Sequence, residues 1–193
     1  IIIAVGREID LPDDAHLATR IDATGMVAHP AFIDALSHAG VTSRGGGSNN
    51  ADRAPDYRAG PAASMRVARR EGTTPERSPL DVWSLDSGKR STYHREGFGA
   101  LLIAEERGFF PGCTSLVSLS GAPLRDCVVV ETSSQRVRFS RVRGGYPGSL
   151  MGSIVHLRQT FLDVRHHVQW KSLWETTKRG VPRPPRDTAL DAL

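Results

Sequence analysis

The sequence predicts an α/β fold on the evidence of three segments. Residues 97–104 form a continuous apolar run bounded by glycine, which is typical of a strand buried on both faces of a parallel sheet. From Ser149 to about residue 178, apolar residues recur at spacings of three and four, which predicts one long helix with a single apolar stripe. Residues 1–30 alternate short β-branched runs with turn residues, which predicts a small strand-rich unit.

The first unit is expected to span residues 1–30. Ile1–Val5 is apolar and β-branched, and the residues after it suggest a hairpin turn. Gly25 marks a second turn before a short strand at Met26–Ala28. Because the chain begins with Ile1 inside a predicted strand, and not with methionine, we expect an upstream segment in the natural protein.

The second unit is expected to span residues 31–193. A polar, glycine-rich loop at 39–59 precedes predicted helices at 61–71 and 81–95. This loop lacks the Gly-Lys-Ser/Thr ending of a phosphate-binding loop, so we interpret it as a connection. Three short strand-like runs then predict an antiparallel meander at about 113–143. These runs are Ser115–Leu119, Cys127–Glu131 and Val137–Val142.

The long helix is predicted at about 149–178, with Gly180 and the prolines after it ending the helical segment. A further short helix is expected to begin at about Asp187. The apolar stripe of the long helix is expected to pack on the core. It consists of Leu150, Ile154, Leu157, Phe161, Val164 and Val168.

Composition and charge exclude several classes of protein. The formal charge is +4, but basic and acidic residues are interleaved through most of the chain, which favours a solvated surface over nucleic-acid binding. The densest basic stretch, with arginines at 136, 138, 141 and 143, has the alternation of one exposed strand face. No apolar run approaches the roughly 20 residues that a bilayer requires. Cys113 and Cys127 form neither a metal signature nor a disulfide framework.

One motif carries chemical information. The segment around residues 30–38 contains Pro30, Phe32, Ile33, Asp34 and His38. These residues match, in register, the Pro-Gly-Phe-Ile-Asp-x-His-x-His pattern of the first barrel strand of amidohydrolases. The sequence therefore resembles the amidohydrolase superfamily. Ala31 replaces the usual glycine and Leu36 replaces the first histidine of the pair.

Four other segments are similar to the imidazolonepropionase-like branch of that superfamily, namely residues 146–152, 157–163, Gly97-Phe98 and Ser115–Leu119. The resemblance implies a β-sandwich edge at 1–30 and, at 31–193, the first part of a TIM-like (β/α) metal-dependent hydrolase barrel. Such a barrel usually takes about 250 residues, so we expect it to be incomplete in this chain. In a barrel the meander would be an inserted subdomain, since helices normally separate parallel strands.

His38 is the candidate metal ligand that the resemblance implies. Histidines two apart on a strand point to the same side and reach one cation, but leucine at position 36 cannot coordinate a metal. A histidine hydrogen-bonded in a polar pocket is the alternative interpretation. The resemblance also implies that the metal is divalent, with zinc favoured, and that the protein needs none if it is inactive. Catalytic and substrate-binding residues cannot be assigned. Asp163 and His167 share a helix face without a third ligand.

Two functional hypotheses follow from the resemblance. In the first, the protein hydrolyses carbon-nitrogen bonds other than peptide bonds in a small-molecule amide, by means of a metal-activated water. In the alternative, it is a catalytically degenerate member of the fold that binds a ligand or a partner. A basic nucleic-acid-binding domain is the third and weakest hypothesis. No membrane or nucleic-acid partner is expected, and the sequence leaves oligomeric state and compartment open.

Overall fold

The computed structural model describes residues 5–6, 21–42, 73–139, 147–177 and 180–193. Contacts divide the chain into two compact units, Ile1–Pro30 and Ala31–Leu193. The predicted hairpin at the start of the chain and the predicted helix at 61–71 lie outside the described residues, apart from residues 5 and 6.

In the first unit, the described residues form a turn around Gly25, which has a φ of 81°. Asp22 Oδ1 accepts hydrogen bonds from Thr24 N at 3.0 Å and from Thr24 Oγ1 at 2.6 Å, and Met26 N donates to Ala23 O at 2.9 Å. The predicted turn is therefore present. The strand predicted at Met26–Ala28 is wrong, because these residues make no strand ladder and Met26 and Val27 are 75% and 86% exposed.

The second unit is built on a mixed four-stranded sheet in the order β1-β2-β3-β4. The first pair is parallel and the other two pairs are antiparallel. Strands β1, β2 and β4 therefore run in the same direction, and their carboxyl ends lie at one edge of the sheet. The strands are β1 (Phe32–Ser37), β2 (Phe98–Ala104), β3 (Gly112–Ser118) and β4 (Val128–Arg136).

The predicted α/β class is confirmed, and so is the predicted strand at 97–104, which pairs in parallel with β1. Two of the three predicted meander strands are present as β3 and β4. The third is wrong over residues 137–139, which form no strand, and its remainder lies outside the described residues. Since β3 pairs directly with β2 from Ala100↔Ser118 to Ala104↔Thr114, the meander extends the sheet that β1 begins. The partial TIM-like barrel and the β-sandwich edge stay predictions.

Capping side chains set the ends of several helices. Asp86 Oδ1 accepts from Lys89 N at 2.9 Å, and Asp187 Oδ1 accepts from Leu190 N at 3.1 Å, which satisfies backbone donors at each first turn. The helix predicted at 81–95 therefore begins only at residue 87. The helices are α1 (Ser87–Arg95), α2 (Leu124–Cys127), α3 (Leu150–Thr177) and α4 (Thr188–Asp191), with a 3₁₀ turn at Pro79–Asp81.

A small apolar core lies on the sheet. Its fully buried members come mainly from β2 and from β3 with the residue that follows it, as expected for central strands. Trp83 Nε1 donates to Ala39 O at 3.1 Å, which fixes the segment after β1 against this core. The buried cluster consists of Leu85, Leu101, Ile103, Val117 and Leu119.

Helix α3 corresponds closely to the predicted helix, but the predicted burial of its apolar stripe is wrong for four of the six residues, whereas Leu157 and Val164 are partly buried. Leu150, Ile154, Phe161 and Val168 are 62%, 47%, 50% and 57% exposed. The buried residues of α3 are instead Ser153, Thr160 and His167, which are spaced by seven and share one face. The buried face of this helix is polar, and its side chains are bonded to neighbouring groups. No described helix combines the length and the apolar character that a membrane crossing requires.

Candidate functional site

The polar residues of the candidate site lie where three strands end. β1 ends at Ser37, β2 at Ala104 and β4 at Arg136. His38 and Glu105 are the next residues after the first two strands. Carboxyl ends of strands that run in one direction commonly carry the ligand site in α/β proteins, so this edge is the candidate site.

His38 is held by one defined hydrogen bond. Its Nδ1 lies 2.8 Å from Ala104 O, and because a carbonyl oxygen only accepts, Nδ1 is the donor. In the neutral ring this leaves the lone pair on Nε2. The side chain is half-buried, so Nε2 is the atom through which His38 can act as an acceptor or a ligand.

Arg136 lies against the same ring. Its Nη1 donates to Glu105 O at 2.6 Å and is 3.3 Å from Nδ1 and 3.2 Å from Nε2 of His38. Because the two ring nitrogens flank one carbon, an atom nearly equidistant from both at this range lies over the face of the ring. Nη1 of Arg136 therefore lies over the face of the His38 ring. Burial lowers the pKa of Arg136, the charge of Arg138 lowers it further, and Glu106 opposes the change.

Further charged groups surround this pair. Glu105 is 5% exposed, and its Oε2 lies 4.0 Å from Arg77 Nη1. Arg138 Nη1 donates to Glu106 O at 2.7 Å. The site therefore combines three guanidinium groups with two carboxylates, and the guanidinium of Arg136 is the one in contact with His38.

Two other positions of the first-strand motif, Leu36 and Asp34, lie close to His38 in sequence. Leu36 is 50% exposed and offers no ligand atom. Asp34 Oδ1 accepts from Leu36 N at 3.2 Å, so the carboxylate folds back onto its own strand. The structure brings together His38, Arg136 and Glu105, and within the described ranges it places no group of three or more metal-binding side chains.

The other histidines have separate partners. His167 Nε2 lies 3.2 Å from Asp191 Oδ1, which Lys171 Nζ also contacts at 2.5 Å. Asp163 instead accepts from Gln159 Nε2 at 2.7 Å, so the Asp163–His167 pairing considered from spacing is not formed. His156 Nε2 lies 3.3 Å from Thr73 Oγ1.

The residues at the site do not fit a divalent metal as they stand. A catalytic zinc typically has three protein ligands, and within the described residues no group of three or more histidine, cysteine, aspartate or glutamate side chains could hold a metal ion. His38 supplies one nitrogen. A cation, the guanidinium of Arg136, has its Nη1 3.2 Å from Nε2, and it would repel a metal ion.

The sequence analysis did not identify Arg136, Glu105 or Arg77 as site residues. The arginine alternation after residue 136 suggested a solvated strand face, yet Arg136 is half-buried and packs on His38. The sequence did contain one indication of the site: Glu105 directly follows a predicted buried strand, just as His38 follows β1. Only the pairing of the strands shows that Arg136, the last residue of β4, lies at the same edge of the sheet.

Comparison with known proteins bears on the fold. No family model and no curated protein matches the sequence. A solved structure, an amidohydrolase from Thermotoga maritima MSB8, matches with a TM-score of 0.69 at 21% identity, over 98% of this chain and 46% of that chain. The chain has an amidohydrolase-type fold.

The amidohydrolase-type fold agrees with the resemblance of the first strand motif. At 21% identity the likeness concerns the fold alone, and the imidazolonepropionase-like branch stays a prediction. The chain spans less than half the length of the Thermotoga amidohydrolase.

Proposed function

We propose that this chain is part of an amidohydrolase-fold protein whose site at the carboxyl ends of β1, β2 and β4 binds a small molecule without a divalent metal. The observation that supports this most is the environment of His38. The position two residues before it is Leu36, and the guanidinium of Arg136 covers its ring.

The electrostatics favour this proposal. A divalent cation on Nε2 would lie within a few ångströms of the guanidinium, and at an effective dielectric constant of about 20 their repulsion is several kcal/mol. One histidine nitrogen does not offset that cost, because zinc sites depend on several ligands acting together. Without a metal, Nε2 can instead accept a hydrogen bond from an amide or hydroxyl group of a ligand.

A second function is favoured by the tautomer of His38. Metal-bound histidines usually donate their other ring nitrogen to a carbonyl or carboxylate, and the bond from Nδ1 to Ala104 O at 2.8 Å has that form. The alternative proposal is therefore hydrolysis of non-peptide carbon-nitrogen bonds with His38 as a zinc ligand. The metal would activate water and polarise the substrate carbonyl. Arg136 would have to leave the ring in that case.

One experiment separates the two proposals. The full gene product and its His38→Ala variant are assayed against cyclic and linear amides, with and without added zinc. The metal-free proposal predicts no hydrolysis that depends on His38. Zinc-dependent hydrolysis by the natural protein that is lost in His38→Ala would contradict it and establish the second function.

A matched variant makes a negative result informative. In Leu36→His/Arg136→Gln the second histidine is restored and the cation is removed. We expect this variant to bind zinc in a calorimetric titration where the natural protein does not. Equal zinc binding by both proteins would show that neither Leu36 nor Arg136 excludes the metal.

A further inference from the structure

Arg136 uses only one of its three nitrogens in the contacts described above. Its Nη1 donates to Glu105 O and lies over His38. Within the described part of the chain, Nε and Nη2 of Arg136 make no hydrogen bond. These two nitrogens form one edge of the planar guanidinium.

That edge has a defined chemical preference. The N–H groups on Nε and Nη2 are nearly parallel and match the two oxygens of a carboxylate, which gives a bidentate, charge-assisted pair. A guanidinium whose plane is already fixed loses less conformational freedom when it binds. The contacts of Nη1 with Glu105 and His38 fix the plane of Arg136 in this way.

The surrounding charge also favours an anion. Arg77 and Arg138 lie on the same edge of the sheet, and each contacts the glutamate pair after β2, Arg77 through Glu105 Oε2 at 4.0 Å and Arg138 through Glu106 O at 2.7 Å. Among the described residues named here, three guanidinium groups face two glutamates, an excess of one positive charge. Attraction between that charge and an anionic ligand is strengthened where the site is partly desolvated.

We infer that Arg136 binds the carboxylate of a small-molecule ligand through its Nε and Nη2 edge, while its Nη1 remains on His38 and Glu105. This rests on the proposed function, because it places the ligand at the same metal-free site. In this arrangement Arg136 supplies the fixed positive charge of the site, and its Nη1 stays 3.2 Å from His38 Nε2.

The test is a titration of the full gene product followed by ¹⁵N NMR of the arginine Nε–H groups. Sodium acetate and sodium propionate are the probes, with sodium chloride at equal ionic strength as the control. We expect a saturable shift of the Arg136 Nε–H signal with both carboxylates and none with chloride. A shift that does not saturate, or that chloride reproduces, would overturn the inference.

Two variants test the role of the Nε and Nη2 edge of Arg136. Arg136→Lys keeps the charge and loses the planar edge, so we expect carboxylate binding to weaken at least about tenfold, the effect of losing one charge-assisted hydrogen bond. Arg125→Lys, at an arginine whose side chain is 86% exposed and that is not part of the site, is the matched control and is expected to bind as the natural protein does. Equal weakening in both variants would mean that general positive charge, and not the Arg136 edge, binds the anion.

Failure of this inference and failure of the proposed function have different signatures. A metal found at His38 contradicts the proposed function. A metal-free protein whose Arg136 does not respond to carboxylates contradicts the inference alone.

Discussion

The central sheet and helix α3 use apolar residues in opposite ways. In β2 and β3 the apolar residues Leu101, Ile103 and Val117 are fully buried. In α3 the apolar residues point largely to solvent, and Ile154, Phe161 and their neighbours line an open depression of about 390 Å³. The contrast shows that periodicity tells which residues share a face, whereas only tertiary contacts decide which face is covered.

The buried face of α3 is polar because its polar groups find partners. Ser153 Oγ donates to Ser149 O at 3.2 Å and Thr160 Oγ1 donates to His156 O at 2.9 Å, so neither hydroxyl is left unsatisfied on burial. Small side chains also allow close approach of the helix. Both bonds are made to carbonyl groups four residues earlier, whereas α3 contacts the rest of its unit through ring pairs such as Phe109–His156 and Phe110–Phe161.

The largest expected effect is in the sheet. Leu101→Ala removes a fully buried side chain, and we expect it to lower the free energy of unfolding by about 2–5 kcal/mol, through lost burial and the cavity left behind. Leu162→Ala in α3, at a side chain that is 49% exposed, is the matched control and should cost about 1 kcal/mol or less. Denaturant titrations of both variants check this. Equal losses would mean that the face of α3 is covered in solution.

The next effect tests the polar face of α3. Thr160 is 1% exposed, so Thr160→Leu should destabilise the protein by about 1–3 kcal/mol through overpacking, although it raises the apolar content of the helix. Gln159→Leu, on the exposed side of the same turn, should be within about 0.5 kcal/mol of the natural protein. If Thr160→Leu proves stabilising, the apolar face of α3 is the one that packs on the unit, and α3 does not differ from the sheet in how it uses apolar residues.

The smallest effect concerns the attachment of α4 to α3. The hydrogen bond from Lys171 is the main cause that lowers the pKa of Asp191, and His167 adds to it. A carboxyl group whose pKa is lowered on folding stabilises the folded protein. This contribution is complete at pH values above the pKa in the unfolded chain, near 3.9, and is lost as the pH falls through the pKa in the folded protein. Because Asp191 is 34% exposed, we expect the loss to be below about 1 kcal/mol.

This pH dependence is measured as the midpoint of chemical unfolding between about pH 5 and pH 2.5, a range that brackets the carboxyl titration. Asp191→Asn and Lys171→Met should both reduce the loss of stability on acidification. Lys89→Met is the matched control, since Lys89 Nζ is 3.9 Å from Asp86 Oδ2 and its side chain is 66% exposed. If Asp191→Asn loses as much stability on acidification as the natural protein does, the Asp191 contact is not the cause of the pH dependence.

The local sequence pattern was sufficient to predict some elements of the structure and insufficient to predict others. The glycine-bounded run at 97–104 and the long helix at about 149–178 were predictable, because each depends on the local order of apolar residues. The contact of Arg136 with His38 was not, since it joins residues 98 positions apart and depends on β4 running in the same direction as β1. The exposure of the α3 stripe was missed for the related reason that burial is a tertiary property.

The most direct test of the metal-free site is the divalent metal content of the full gene product, purified without chelators and compared with its His38→Ala variant by inductively coupled plasma mass spectrometry. We predict no stoichiometric metal in either protein, because Arg136 covers His38 and Leu36 supplies no ligand. Stoichiometric zinc in the natural protein that is lost in His38→Ala would contradict the proposal and make His38 a metal ligand.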